Sequence, residues 1–345
     1  MWDMVALGAD ACISHMVMQE KLDIIRVHDF VGNLGVNLPP VENFWSLGDV
    51  TALRDRVDGS FFRSNYERGI LLYALVAKHR PMSVLEFGTG RGYGCLCMAW
   101  AMRDCGISGM IHTIDMVSSV ESIRWPICWN ESEGPQVEDL SRSEVWSRAA
   151  HPAWLEHVKE WTGYSAAAMR EFSGDPVDFA FIDAGHGHRG VRHDFYAALG
   201  AAGKRIDILF DDYSFEDVGY GTRKLIQEEV LEHQDASLII TDRRWPGGEK
   251  EHYSDASSGM VWINCKNPQY LLDEIQPKFW LGMFNLGYRF WEMQYRLRRI
   301  LVLMQEKLVH KVRLVLHVEH GERIRTAAVR RVLQALRVGH GGSRG

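Results

Sequence analysis

The sequence predicts an α/β fold, with a doubly wound, mostly parallel sheet of seven strands and helices on both faces. Three observations carry that expectation. Between about residues 64 and 264, short runs rich in Val, Ile, Leu and Phe alternate with helix-like patterns. The first run, Ser83–Phe87, leads directly into a glycine-rich turn and then a helical pattern, the nucleotide-binding corner of a Rossmann-like sheet. Three of the runs end on aspartate, at Asp115, Asp183 and Asp211-Asp212, and functional groups of such sheets gather at the carboxyl ends of strands.

Taken in order, residues 1–60 show weak periodicity, with turn signals at Leu38-Pro39-Pro40 and Leu47-Gly48-Asp49, and read as an N-terminal cap. Ser64 and Glu67 fit a capping box for a helix through Ile70, Leu71, Ala74, Leu75 and His79 that stops at Pro81. Strands are expected at 83–87, 109–115, 158–161, 177–183, 206–212, 237–242 and 259–264. Helices are expected over Cys97–Arg103 and Val218–His233. The main domain is thus 61–268, interrupted by a long insertion at 116–157. Long segments beside a site commonly form lids, and Trp125 and Trp129 either stack on a ring-shaped ligand or pin the insertion to the body. Trp245-Pro-Gly-Gly248 marks a second lid candidate.

Composition narrows the class. The chain has 345 residues, 46% hydrophobic and 24% charged, enough to bury a sizeable core. The six cysteines, Cys12, Cys95, Cys97, Cys105, Cys128 and Cys265, contain no Cys-x-x-Cys pair, which argues against a zinc ribbon and for reduced thiols in the cytoplasm. The N-terminus lacks a basic region before an apolar stretch, so no secretory signal is expected. No apolar run reaches the ~18–20 residues of a spanning helix.

Charge is uneven. Residues 278–345 carry 14 Lys and Arg against 4 Asp and Glu, so this tail is +10. Residues 1–277 carry 25 against 41 and are −16. Residues 269–345 read as a basic helical extension, with an apolar stripe at Leu297, Leu301, Met304, Leu308, Val312 and Val315. Such a stripe needs a cover, either the chain's own body, a second copy or an anionic membrane surface. The acidic body favours the first two. The same acidity repels phosphate and weighs against nucleic acid.

The glycine turn reads Glu86-Phe-Gly88-Thr89-Gly90-Arg-Gly92. A dinucleotide fingerprint would place its third glycine at Tyr93, so that reading fails. An acidic residue two before the first glycine suits a ligand with an ammonium group and no pyrophosphate. Val84-Leu-Glu86-Phe-Gly88-Thr-Gly90-Arg-Gly92 resembles the first motif of class I S-adenosylmethionine-dependent methyltransferases. The resemblance implies that Glu86, Gly88, Thr89, Gly90 and Gly92 hold the methionine and ribose portions of that cofactor. It implies that Asp115, 27 residues after Gly88, accepts hydrogen bonds from the ribose hydroxyls, and that Gly163, Tyr164 and Ser165 lie near the adenine.

If strands four and five are parallel neighbours, Asp183, Asp211 and Asp212 converge at one sheet edge. Carboxylates so placed repel each other, and a hard cation such as Mg²⁺ or Mn²⁺ compensates them. Asp at a strand end also caps turns without any ion. The pattern is similar to the metal-dependent O-methyltransferases, of catechol O-methyltransferase and macrocin type. Phe181-Ile182-Asp183-Ala-Gly-His186 resembles the FIDGxH element of a bacterial subgroup of small-molecule methyltransferases that includes cephalosporin hydroxylase relatives. Where that element has Tyr two residues after the His, this chain has His188, and the catalytic Lys of the catechol enzymes has no match.

The resemblance implies O-methylation of a small-molecule or sugar hydroxyl, with a metal lowering the hydroxyl pKa and His186 as base. Asp183 shares the catalytic and cofactor assignments. A metal-free route through His186 is the alternative, and a non-methylating, hydroxylase-like or binding protein is the other. His188 and Arg189 read as surface. Base-methylating enzymes usually carry Asn/Asp-Pro-Pro-aromatic where this chain has Asp183-Ala-Gly-His186. The expected setting is cytoplasmic, with peripheral membrane contact or self-association through the tail.

Overall fold

The computed structural model describes residues 22–55, 59–63, 66–213, 219–241 and 259–275. The expected cap at Ser64, the Trp245–Gly248 loop and the basic tail, with its expected contacts to a second copy or a membrane, lie outside the described residues.

The strands are β1 (Leu22–Arg26), β2 (Leu53–Asp55), β3 (Phe61–Arg63), β4 (Ser83–Phe87), β5 (Met110–Asp115), β6 (Ser122–Ile127), β7 (Gln136–Ser141), β8 (Val158–Thr162), β9 (Val177–Ile182), β10 (Ala202–Phe210), β11 (Ala236–Ile240) and β12 (Gly259–Cys265). The helices are α1 (Val27–Leu34), α2 (Val41–Thr51), α3 (Glu67–His79), α4 (Tyr93–Asp104), α5 (Arg142–Ala149), α6 (Pro152–Leu155), α7 (Ser165–Glu171), α8 (His188–Ala201), α9 (Tyr220–Leu225) and α10 (Pro268–Ile275). A π-helical turn, Ile226–Val230, continues α9.

One sheet of eight strands organises the molecule, in the order β1-β11-β12-β10-β9-β4-β5-β8. Only β12 runs against its neighbours. The seven expected strands are all present. The eighth comes from within residues 1–60: Leu22–Arg26 pairs in parallel with β11, from Leu22 opposite Ala236 to Arg26 opposite Ile240. A five-residue run at a sheet edge, with Ile24 exposed, has too little alternation to announce itself in sequence.

From β4 the chain builds outward through β5 and β8 on one side and through β9 and β10 on the other. That reversal opens a crevice at the carboxyl end of β4, where ligands of doubly wound sheets bind. β4 is buried along its whole length because helices cover both faces, which explains why Val84, Leu85 and Phe87 are all apolar, with Ser83 and Glu86 as buried polar exceptions. One face packs against α1 to α4, with Leu71, Leu75, Leu96 and Met98 fully buried. The other packs against α7 to α10, with Val191, Phe195, Leu225 and Leu271 inside. At an apolar transfer value of ~1.5–3 kcal/mol for each large buried side chain, these two layers supply most of the driving force.

α3 ends where expected, with Arg80 in the left-handed region at φ 52° just before Pro81, which cannot continue a helix. β10 starts earlier than expected and shifts register between Ala202 and Asp207, which leaves Asp211 and Asp212 just beyond its end. The insertion at 116–157 is a β6–β7 hairpin followed by α5 and α6. Among the described residues no helix is long and apolar enough to cross a membrane.

Candidate active site

The glycine turn joins β4 to α4. Gly88 (φ 94°) lies so close to the neighbouring strand end that a Cβ there would sit 2.2 Å from the backbone oxygen of Asp183. A Cβ on Gly92 (φ 94°) would meet the Trp146 ring at 2.2 Å. Gly90, between them, meets nothing within 4 Å and faces open space. The turn is stitched to its neighbours by Gly88 N–H donating to Ile114 O at 2.9 Å and Asp183 N–H donating to Phe87 O at 2.9 Å.

Asp115, the last residue of β5, accepts from Gly90 N–H through Oδ2 at 2.7 Å and from Val117 N–H through Oδ1 at 2.7 Å. A carboxylate accepts about four hydrogen bonds, so lone pairs remain for a ligand. Gly163, after β8, donates to Asp115 O at 2.7 Å and leaves open space at its α-carbon. The expected cofactor residues Gly88, Gly90, Asp115 and Gly163 therefore sit together at the crevice.

Four others, Glu86, Thr89, Tyr164 and Ser165, face inward. Glu86 is 1% exposed, and its carboxylate lies under the turn, accepting from the Thr113 hydroxyl. Thr113 and Thr89 hydroxyls pair at 2.5 Å, so Glu86, Thr113 and Thr89 form a buried strut beneath the loop. Burial pushes the Glu86 carboxyl up to about 8, against the hydrogen bond from Thr113. Glu86 thus supports the loop from below. Ser165 is buried and hydrogen-bonded to Asp194 of α8, and Tyr164 is buried beside it.

The acidic cluster forms as expected. Asp183, Asp211 and Asp212 each offer an oxygen within 4.8 Å of the others. It has a partner that sequence reading missed. Arg68, in the first turn of α3, places Nη1 2.8 Å from Asp183 Oδ2 and in still shorter contact with Asp211 Oδ2. Burial works against the guanidinium charge, but Asp183, Asp211 and Asp212 outweigh it and hold the Arg68 pKa above its ordinary value. Burial also pushes Asp183 well above the usual carboxylate range, opposed by Arg68 and reinforced by Asp211 and Asp212.

Asp212 takes the left-handed backbone at φ 61° and turns its carboxylate to His186, with Oδ2 3.1 Å from Nδ1. The hydrogen bond to Asp212 raises the His186 pKa, against partial burial. His186 is 48% exposed in its side chain, so the ring's far edge is open to a ligand. Its loop is packed by α9, where Gly221 leaves room for His186 O only because it lacks a Cβ, which would lie 2.4 Å from that oxygen. His188, expected at the surface, is half-buried and faces Glu229 at 3.7 Å, while Arg189 is exposed as expected.

The insertion turns out to hold the glycine turn. Arg142 donates from Nη1 to Gly90 O at 2.8 Å, from Nη2 to Val117 O at 3.0 Å, and from Nε to Glu160 at 2.7 Å. Trp146 Nε1 donates to Arg91 O at 3.0 Å. Arg91 itself reaches Pro126 O at 2.9 Å and Leu53 O. Trp125 is fully buried and donates to Val50 O at 2.8 Å, and Arg148 stacks on Trp129 at 3.7 Å. Trp125 pins the insertion to the body, whereas Trp129, which also donates to Glu138 at 3.0 Å, makes these contacts within the insertion itself.

Residues 85–213 match the family model described as "Methyltransferase domain". No curated protein matches the chain. Among solved structures, cofactor-bound Rv0187 from MTB is 18% identical, with 70% of this chain and 96% of that one covered and a TM-score of 0.45. The O-methyltransferase from Bacillus cereus in complex with SAH is 17% identical, covering 67% and 94%, at 0.42. The O-methyltransferase TomG from Streptomyces achromogenes, in complex with SAM, is 16% identical, covering 68% and 93%, at 0.44. The strand order, seen directly, defines the fold independently of these distant likenesses. Residues 85–213 are thus similar to a methyltransferase domain, and the doubly wound sheet and its glycine turn are the architecture in which that similarity lies.

Proposed function

We propose that the chain methylates a hydroxyl of a small molecule or sugar, with His186 as the base. The observation that carries this is the His186–Asp212 pair at the strand ends beside the glycine turn. S-adenosylmethionine supplies a methyl group on a positively charged sulfur. The cradle suits it, since Gly90 and Gly163 leave open space and Asp115 retains acceptor capacity for a diol.

With Nδ1–H of His186 donating to Asp212, the lone pair of the neutral ring lies at Nε2, on the accessible edge. Nε2 takes the acceptor's hydroxyl proton as that oxygen forms its bond to the methyl carbon and the carbon–sulfur bond breaks. Asp212 steadies the imidazolium that results.

A divalent ion, Mg²⁺ or Mn²⁺, is the second reading, favoured by the three oxygens within 4.8 Å. The donor chemistry fits a hard cation, but the space does not, because Arg68 already contacts Asp183 and Asp211. No step is therefore routed through an ion.

Transfer of labelled methyl from S-adenosylmethionine to a panel of hydroxyl-bearing small molecules and sugars tests the reading. His186→Asn should lower kcat by about 10²–10⁴-fold with cofactor affinity kept. Label appearing only on amines, or an unaffected His186→Asn, would reject it.

A further inference from the structure

We propose that the guanidinium of Arg68 is the built-in counter-cation of the strand-end carboxylates and fills the position a divalent ion would otherwise take. The inference deepens the proposed function but does not depend on turnover, since cation binding is read directly.

The geometry is specific. A single nitrogen, Nη1 of Arg68, contacts Oδ2 of both Asp183 and Asp211, which come from the ends of adjacent strands β9 and β10. The third carboxylate, Asp212, is taken by His186. Every carboxylate of the cluster thus has a partner supplied by the chain, the Arg68 guanidinium for Asp183 and Asp211 and the His186 N–H for Asp212. The Arg68 side chain is only 14% exposed and is fixed at the start of α3, a helix whose inner face is packed into the core.

An ion bound by these oxygens would have to displace the guanidinium from between them. Mg²⁺ and Mn²⁺ favour about six oxygen ligands at short range, which leaves no room for a guanidinium in the same gap. A displaced Arg68 would remain a charge without its partners in a largely buried place, an arrangement that is strongly unfavourable. Arginine also stays charged at any working pH, so the compensation does not depend on the cation supply. Arg68 is accordingly a positioning residue. It clamps Asp183 and Asp211 and leaves Asp212 to orient His186.

The test is Mn²⁺ binding by the full chain, followed by calorimetry and by the electron paramagnetic signal of free Mn²⁺. Wild type should bind no stoichiometric Mn²⁺ at micromolar to low millimolar concentration. Arg68→Met should gain one site, at least tenfold tighter than any wild-type binding, and Mn²⁺ should raise the Tm of that variant alone. Arg68→Lys keeps a positive charge in place and should stay as blind to Mn²⁺ as wild type. Two results would overturn the proposal. One is a stoichiometric Mn²⁺ on wild type that disappears in Asp183→Asn. The other is a folded Arg68→Met that gains no Mn²⁺. Should Arg68→Met fold only in Mn²⁺, the proposal stands, since the ion has then replaced the guanidinium. Should it fold in neither condition, wild type against Asp183→Asn decides, with an ion lost alongside Asp183 overturning the proposal and its absence upholding it.

Discussion

Arg142 donates a 2.8 Å hydrogen bond from Nη1 to the backbone oxygen of Gly90, joining the insertion to the centre of the glycine turn. The same guanidinium is anchored by Glu160 of β8 and by Val117 O, so the turn is held from outside as well as from its own strand. The insertion between β5 and β8 is in this sense a buttress of the glycine turn.

Arg142→Met should therefore weaken S-adenosylmethionine binding with the fold retained. A hydrogen bond from a charged group contributes ~1.5–3 kcal/mol, so a loss of about ten- to a hundredfold in affinity is expected. Calorimetric titration of the variant checks it. Unchanged affinity would show that the turn keeps its shape without the insertion.

Gly88→Ala should be severe. Its Cβ would fall 2.2 Å from a backbone oxygen, at a φ that side chains rarely adopt, so two strand ends would have to part. A cost of ~3 kcal/mol or more and loss of cofactor binding are expected, read by chemical denaturation and titration. An alanine variant as stable as wild type would contradict the close approach of Gly88 to Asp183.

Glu86 gives a pH prediction. Its carboxyl is pushed up to about 8 by burial, whereas an unfolded Glu titrates near ~4.3. The folded state binds the extra proton between those values. The stability linked to Glu86 is thus fully present below the unfolded pKa and is lost as pH rises through the folded one. Glu86→Gln keeps an acceptor for Thr113 and removes the titration. The variant should gain on wild type from pH 5 to pH 9, by on the order of a few kcal/mol. Parallel stability–pH curves for the two proteins would show that Glu86 ionises freely.

The fold was largely legible because its signals are local. Ser83–Phe87 is a strand with the expected bounds, since five apolar-flanked residues running into glycines leave few alternatives. Asp115, Asp183, Asp211 and Asp212 were located by the same logic of strand ends. What escaped depends on distant contacts. Arg68 meets carboxylates 115 and 143 positions away, and nothing in Glu67-Arg68-Gly69 marks that meeting. Glu86 and Thr113 sit opposite each other on paired strands, so the inward turn of the carboxylate follows from register. Arg142 looks like any helix-start residue until the insertion folds back onto Gly90.

In the proposed function the Gly88–Gly92 turn and Asp115 together bind S-adenosylmethionine. Calorimetric titration of the cofactor into wild type and Asp115→Ala tests it most directly. Wild type should show one site per chain, and Asp115→Ala an affinity at least about tenfold weaker, as expected for losing charge-assisted hydrogen bonds. Equal affinity in the two proteins, or no binding by wild type, would contradict it.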